Sequence, residues 1–242
     1  MMKVFAYMEH GANKAYSEDT IVVNGQICKE GYFSFDASGS CVAIADGVGG
    51  NDGGKEASEF VSYMIKTGIS GDVKETVFRI NEELIAYAKT IPGKEQMATT
   101  LTALLFNGDK PPCVLHVGNT RLYAIQGIYL KQITRDHTIV EYLRSIGNFD
   151  AAEKAIKSEI TSCFGAGIAS TISQLQAFNI DKNYAGFVIT SDGLHDHLEE
   201  EVVEGFIDSG VFTENAFKRL IQQARDNGSI DDISIIVVKN RE

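Results

Sequence analysis

Residues 99–133 read TTLTALLFNGDKPPCVLHVGNTRLYAIQGIYLKQI. Four apolar runs, at 99–106, 112–117, 121–125 and 128–133, follow one another with no helical pattern between them. The breaks, Asn107-Gly108, Gly118-Asn119 and Gln126-Gly127, have hairpin-type chemistry. The stretch therefore predicts an antiparallel meander. A wound α/β sheet needs a helix after almost every strand, so this stretch selects an α+β fold.

Upstream, strands are predicted at 3–8, 20–23, 32–35 and 41–45. The period then changes. Ala57, Phe60, Val61, Met64 and Ile65 fall at helical spacing, with Asn51 or Asp52 to start the helix and Gly68 to stop it. Asp72 and Glu75 form a capping box for a second helix, whose apolar face is Val73, Val77, Ile80, Leu84 and Ala88. Both helices are expected to pack on a sheet. Downstream, Ile139, Val140, Leu143 and Ile146 give a third helix. Residues 147–169 have weak periodicity, and Gly165, Gly167 and small neighbours point to a mobile part. Strands follow at 173–180 and 187–191. Thr213 caps a helix bearing Phe217, Leu220, Ile221 and Ala224, stopped by Gly228, and 233–238 is the last strand. Two packed antiparallel sheets with helices on both outer faces, an α-β-β-α sandwich, accommodate this order. Only three prolines occur and no Pro- or Ser-rich linker divides the chain, so residues 1–242 read as one domain.

Carboxylates recur at the ends of these strands. Ile44-Ala45-Asp46-Gly47-Val48-Gly49-Gly50 is an apolar run ending in Asp and glycines. One Asp-Gly is ordinarily a turn, but Phe187-Val188-Ile189-Thr190-Ser191-Asp192-Gly193 repeats the pattern. Asp231-Asp232 precedes the run 233–238, and Glu18-Asp19 precedes the run 21–23. Such carboxylates can converge at one edge of a sheet, where they repel unless a cation neutralises them. Hard oxygen ligands without Cys or His select Mg²⁺ or Mn²⁺ over Zn²⁺.

Bulk properties set bounds. The 242-residue chain is 44% hydrophobic and 23% charged, in the range of a globular protein. A net charge of −11 argues against nucleic acid and anionic membrane as partners. Cys28, Cys41, Cys113 and Cys163 show no Cys-x-x-Cys spacing, and Cys41 and Cys113 lie in apolar runs. They fit buried reduced thiols. No apolar stretch approaches the ~18 residues of a membrane span, and 1–8 is too short for a signal peptide. The expected location is the cytoplasm.

Seven motifs in order resemble the metal-dependent Ser/Thr protein phosphatases of type 2C (PPM), over essentially the whole chain. They are Lys14 with Ser17-Glu18-Asp19, Asp46-Gly47-Val48-Gly49-Gly50, Ala98-Thr99-Thr100, Val117-Gly118-Asn119-Thr120-Arg121, Thr134-Arg135-Asp136-His137, Ser191-Asp192-Gly193-Leu194 and Asp231-Asp232-Ile233-Ser234. The length is similar to that of compact bacterial members. The resemblance implies a β-sandwich with a binuclear Mn²⁺ or Mg²⁺ centre. Asp46 would bridge both metals, the Gly47 carbonyl would serve one, and Asp192 and Asp231 would hold the other. Glu18 and Asp19 would act directly or through water, and Lys14 would bind the substrate phosphate. A metal-activated water would then hydrolyse phosphoserine or phosphothreonine in line. Phosphorylated proteins, and the targets of a cognate Ser/Thr kinase, are the implied partners.

The chain departs from the family pattern in places. Lys14 stands for the usual Arg and lacks its two-pronged fork. Ser17 replaces Asn, Ala98 replaces Gly, and Asp232 stands where Asn is common, adding negative charge beside the site. Val48 occupies the position of a candidate acid His in some members. Asn119 replaces a carboxylate of a third, weaker metal site, whose other ligand matches Asp196. The histidines, including His195-x-His197, read as polar surface or supporting groups. His137 would order a turn, His10 and His116 have no partner nearby in sequence, and 199–201 reads as a solvated helix start. Two other readings stand beside the general phosphatase. One is a non-catalytic binding module, against which the presence of Asp46, Asp192 and Asp231 argues. The other is a phosphatase dedicated to one signalling partner.

Overall fold

In a computed structural model of the chain, the described residues are 2–37, 41–49, 52–106, 108, 110–180 and 184–240. In chain order the strands are β1 Met2–Glu9, β2 Thr20–Val23, β3 Gln26–Cys28, β4 Gly31–Ala37, β5 Cys41–Ala45, β6 Ala98–Thr99 and β7 Leu101–Leu105. They continue as β8 Cys113–Val117, β9 Arg121–Gln126, β10 Tyr129–Gln132, β11 Phe164–Gly165, β12 Gln176–Asn179, β13 Gly186–Thr190 and β14 Ile233–Asn240. Among the described residues they form two six-stranded sheets and a small ribbon. The first sheet has the order β10-β9-β13-β14-β1-β4, the second β12-β8-β7-β5-β2-β3, and the ribbon joins β11 to β6. The pairings are antiparallel.

Alternation along the strands explains the layers. In β5, Val42 and Ile44 face the first sheet, where they meet Val4, Ala6, Leu122, Ile189 and Ile236. Cys41, Ala43 and Ala45 face outward, against Ala57, Val61 and Ile65 of α1 (Gly54–Ile65) and Val77, Ile80 and Leu84 of α2 (Val73–Ala88). Both faces are covered, which is why 41–45 is uniformly apolar rather than alternating. The remaining helices are α3 Ile139–Ser145, α4 Phe149–Lys154, α5 Asp192–His195, α6 Glu200–Asp208 and α7 Glu214–Asp226. The outer face of the first sheet (Tyr7, Val188, Ile235, Val237) packs on Phe217, Leu220 and Ile221 of α7 and Val203 and Ile207 of α6. The sandwich is therefore α-β-β-α, as expected.

Helix caps follow the sequence in part. Asp72 accepts from the Glu75 N–H at 2.8 Å, and Thr213 caps α7. The α1 start differs from expectation. Its cap is Gly53 in a left-handed conformation (φ 101°), with no side-chain cap. Asp52 does not take that role, and Asn51, like Gly50, lies outside the described residues. The reason is steric. A Cβ on Gly54 would lie 2.9 Å from Glu18 Oε1 and 3.1 Å from the Gly47 carbonyl carbon, so close approach outranks capping here.

The meander is also corrected. β7–β8 and β9–β10 are hairpins, but they belong to different sheets. The chain changes sheet at Gly118-Asn119-Thr120. (Of the 107–108 break, Asn107 lies outside the described residues.) Polar contacts fix the crossing. Gly118 N–H donates to His137 Nδ1 at 3.1 Å, and the Gly118 carbonyl accepts from His137 N–H at 2.8 Å. Thr120 Oγ1 lies 2.7 Å from Thr100 Oγ1, and the Thr120 carbonyl accepts from Thr102 Oγ1 at 2.6 Å. Two smaller readings change as well. The strand expected at 173–180 is only Gln176–Asn179, preceded by a 3₁₀ turn at Ala169–Ile172. Gly165 is a contact residue rather than slack. Its N–H donates to Asn81 Oδ1 at 2.7 Å, and a Cβ would collide with the Met97 carbonyl.

All four cysteines are free thiols; Cys28, Cys41 and Cys163 are buried, whereas Cys113, expected to be buried in its apolar run, is half-buried. Burial pushes Cys41 up to about 12 and Cys28 and Cys163 up to about 11. No helix among the described residues is long and apolar enough to cross a membrane.

Gly118 has φ 111°, and an added Cβ would sit 2.5 Å from Thr100 Cβ and Cγ2. Thr100 is buried and branched, so it has no room to yield. Gly118→Ala is expected to cost about 2–4 kcal/mol through backbone strain and overpacking. Urea unfolding measures it, and a loss within ~0.5 kcal/mol, the scale of a neutral surface change, would show that the crossing tolerates a side chain.

Candidate metal centre

Strand register carries the acidic segments to one edge of the sandwich. Thr20 of β2 pairs with Ala45 of β5, so Asp19 and Asp46 leave the second sheet side by side. Thr190 of β13 pairs with Ile235 of β14, which brings Asp192 beside Asp231 and Asp232 on the first sheet. Ser234 joins the two sheets, donating its hydroxyl to Asp19 Oδ2 at 2.6 Å.

The backbone around the acids is held closely. The Asp46 carbonyl accepts from Thr100 N–H at 2.8 Å and Thr99 Oγ1 at 2.9 Å, and Asp46 N–H donates to Thr100 Oγ1 at 3.2 Å. A Cβ on Gly47 would fall 2.5 Å from the Gly54 carbonyl and 2.9 Å from Glu18 O. One on Gly193 would collide with the Asp232 carbonyl. The glycines after Asp46 and Asp192 therefore permit backbone-to-backbone approach at the site.

Burial dominates the electrostatics, and repulsion among the carboxylates adds to it. Burial, then the field of Asp232, Asp192 and Asp231, raises Asp19 well above the usual carboxylate range. Burial, then Asp19, Asp192, Asp231 and Asp232, does the same to Asp46. Burial and Asp231 push Asp192 up to about 6. Asp19 Oδ1 is buried without a hydrogen-bond partner, and the Asp46 carboxylate accepts no hydrogen bond among the described residues.

Lys14 supplies the compensating charge. Its ammonium donates to Glu18 Oε2 at 2.8 Å, Asp232 Oδ2 at 2.8 Å and Asp231 Oδ1 at 3.1 Å. Burial works against the ammonium, but the hydrogen bonds to Asp232 and Glu18 outweigh it and hold it above the usual lysine range. Sequence reading treats Asp232 as added charge beside the site, whereas the structure puts it at the centre. It is 3% exposed, and it also accepts from Gly11 N–H at 2.7 Å and Glu18 N–H at 2.8 Å. Its neighbour Asp231 is 53% exposed.

Among the described residues no three Asp, Glu, His or Cys side chains already converge on one ion-sized point. Glu18 and Asp231 are turned onto Lys14, and Asp192 Oδ2 accepts from Asn119 Nδ2 at 2.8 Å. The donor set nonetheless fits hard divalent cations. It is all oxygen, it carries an orphaned buried carboxylate oxygen, and its members repel one another. Glu18 and Asp231 would exchange the ammonium for the ion.

Asp196 lies one helical turn after Asp192, its N–H donating to the Asp192 carbonyl at 3.0 Å, and the two carboxylates sense each other. The histidines are bound to protein groups. His195 Nδ1 is 2.8 Å from Thr190 Oγ1, and His197 is 3.4 Å from the Asn227 carbonyl. His116, without a partner nearby in sequence, meets Thr102 at 2.8 Å and the Arg135 carbonyl at 3.0 Å.

These shifts set a pH dependence with a definite sign. Asp192 titrates at about 6 in the folded chain, against ~4 in an unfolded one. The folded state therefore takes up a proton at Asp192 that the unfolded chain still lacks over roughly pH 6 to 4, and the contribution of this group to stability rises as pH falls through that window. Burial of His116, His137 and His195 holds their imidazoles below the usual range, so these groups pull stability the other way over the same interval. The Asp192 contribution is isolated by comparison: with chelator present, the change in urea midpoint from pH 7 to pH 5 is expected to be less favourable in Asp192→Asn than in the parent. Equal changes in the two proteins would contradict the burial of this charge.

The description Protein phosphatase 2C belongs to the family profile that matches residues 20–232. Serine/threonine protein phosphatase PstP of Mycobacterium tuberculosis is 26% identical over 249 residues, covering 98% of this chain but 45% of PstP. The chain thus spans about half the length of that relative. Among solved structures, serine/threonine phosphatase Stp1 of Staphylococcus aureus superposes with a TM-score of 0.80 at 23% identity, covering 100% of this chain and 96% of Stp1. The catalytic domain of PstP, in complex with two manganese ions, superposes at 0.70 and 23% identity, covering 99% of each chain. These superpositions establish the fold. With a profile match spanning most of its length, the chain belongs to the protein phosphatase 2C family.

Proposed function

We propose that the chain is a metal-dependent protein phosphatase that hydrolyses phosphoserine and phosphothreonine, with residues 1–242 forming one catalytic domain. The observation that carries this is the gathering of Glu18, Asp19, Asp46, Asp192, Asp231 and Asp232 from both sheets at one edge, with Asp19 Oδ1 orphaned. Mn²⁺ or Mg²⁺ ions fit that donor set, and a relative's catalytic domain carries two manganese ions. Such cations supply Lewis-acid charge and lower the pKa of water held beside the phosphoryl group.

The chain's own groups then have these roles. Asp46, which leaves the second sheet beside Asp19, would be a ligand to such ions, with the Gly47 carbonyl next to it. Asp192 and Asp231 from the first sheet would be ligands as well, and Glu18 and Asp19 would act directly or through water. Asp232 positions Lys14 and the 11–18 loop through the three hydrogen bonds that its carboxylate accepts. Lys14, whose ammonium holds Glu18 and Asp231 here, would be freed if those carboxylates turned to a cation, and it is the cation placed to take the substrate phosphate. Phosphorylated proteins are the substrates, paired with a Ser/Thr kinase. A net charge of −11 supports partners other than nucleic acid or anionic membrane, and the free thiols fit the cytoplasm.

Phosphate release from an aryl phosphate tests the reading. Chelation is expected to abolish it, and Mn²⁺ or Mg²⁺ to restore it. Asp46→Asn should lower the rate at least ~10²-fold, the scale of a lost electrostatic stabiliser. Full activity in chelator, or normal turnover in the variant, would place the chemistry elsewhere.

The third ion is weak on the same reading. Asn119 brings an amide rather than a charge, and its Nδ2 already donates to Asp192. Cation affinity follows ligand charge. Asn119→Asp is expected to tighten the third site, seen as an added binding event in Mn²⁺ calorimetry, and to destabilise the protein in chelator by removing the hydrogen bond and adding repulsion. A third ion bound by the parent as tightly as the other two would refute the charge-count argument.

A further inference from the structure

Beside the acidic edge lies a cavity of about 600 Å³. Asn119, which hydrogen-bonds Asp192, and Asp196 both line it, so it opens onto the centre described above. Arg121, Arg135, Arg144 and Lys157 also line it. Two of these cations are committed. Arg121 grips Asp136 with contacts of 2.7–3.1 Å, and Arg135 donates to Glu141 at 2.8 Å. Arg144, in α3, and Lys157, just after α4, have side chains that make no ion pair or hydrogen bond among the described residues. In a chain of net charge −11, two uncommitted cations beside an acidic centre need an account.

The ordinary account is solvated surface charge. Position and surroundings weigh against it. The α3–α4 segment contributes little to the core. Of its helical residues only Ala152 is buried. The same segment exposes Tyr142, Ile146, Phe149 and Ile156 at 58–66% each. Exposed apolar side chains next to free cations, at the mouth of a polar cavity, form a surface suited to an extended protein segment with acidic character.

Resting on the phosphatase reading, we propose that Arg144 and Lys157 form a specificity subsite that binds an acidic side chain flanking the phosphorylated residue of a protein substrate. Charge complementarity selects that occupant. The centre itself takes the phosphate, and the two cations take the next negative charge along the chain. The carboxylates Asp196 and Glu199 in the same cavity repel an acidic residue placed near them. They thereby direct it toward the cations.

The test uses two phosphothreonine peptides of one sequence, with Glu or Gln flanking the phosphorylated position, and the full chain with Mn²⁺. The Glu peptide is expected to have a kcat/KM roughly tenfold higher, carried by KM and shrinking with added salt, as for partly exposed charge pairs. In Arg144→Ala/Lys157→Ala the preference should disappear while turnover of an aryl phosphate persists. Arg144→Glu/Lys157→Glu should invert it. Both sites are exposed, so these variants are expected to keep the parent's circular dichroism spectrum. No preference in the parent, or one that survives in the double Ala variant, overturns the subsite. Absence of aryl phosphate turnover in the parent would instead overturn the phosphatase reading. The subsite is then decided by fluorescence anisotropy of the same two peptides, labelled. Tighter binding of the Glu peptide, lost in the double Ala variant, supports it, and equal binding overturns it.

Discussion

The burial of carboxylates that also repel one another is the constraint on which the rest of this structure depends. Asp19 and Asp232 are almost fully buried, and Asp46 and Asp192 stand within their field. An isolated buried charge is costly, and a group of them more so. The sandwich meets that cost locally, with the Lys14 ammonium, the Ser234 hydroxyl, the Asn119 amide and backbone N–H groups of Gly11 and Glu18. Apart from the local bond of Lys14 to Glu18, each of these donors comes from a segment far away in sequence from the acid that it serves. The end of the sandwich is thus held by polar contacts between loops, while the three apolar cores hold the layers.

Much of this fold was legible because its signals are local. The apolar run 41–45, the helical spacing of α1, α2 and α7, and the Asp72 and Thr213 caps each depend on neighbours within a few residues. What escaped is not local. The ribbon joins Ala98–Thr99 to Phe164–Gly165, two residues on each side, too short to show a period. The sheet change at Gly118-Asn119 has the same local chemistry as a hairpin turn. Contacts from Thr100, Thr102 and His137 decide between the two, and none is adjacent in sequence. One further turn has a local signal. Asn24-Gly25, with φ of 51° and 79°, is the tight turn that joins β2 to β3.

The candidate site divides in the same way. Asp46 and Asp192 were legible because a strand-Asp-Gly pattern recurs at two distant places. The division of labour between Asp231 and Asp232 was not, since the register of β14 sets which of two adjacent carboxylates turns inward. Lys14 was legible as a cation near the site. Its partners were not, because Asp231 and Asp232 lie more than two hundred residues further along the chain.

The buried thiols have a consequence of a different kind. Oxidants attack thiolate rather than thiol. Burial holds Cys28, Cys41 and Cys163 at about 11 to 12, so almost none of their sulfur is ionised at neutral pH. The carboxylate edge contains no cysteine. Peroxide would therefore find these three sulfurs almost wholly in their unreactive form, and would meet no sulfur among the carboxylates of the edge.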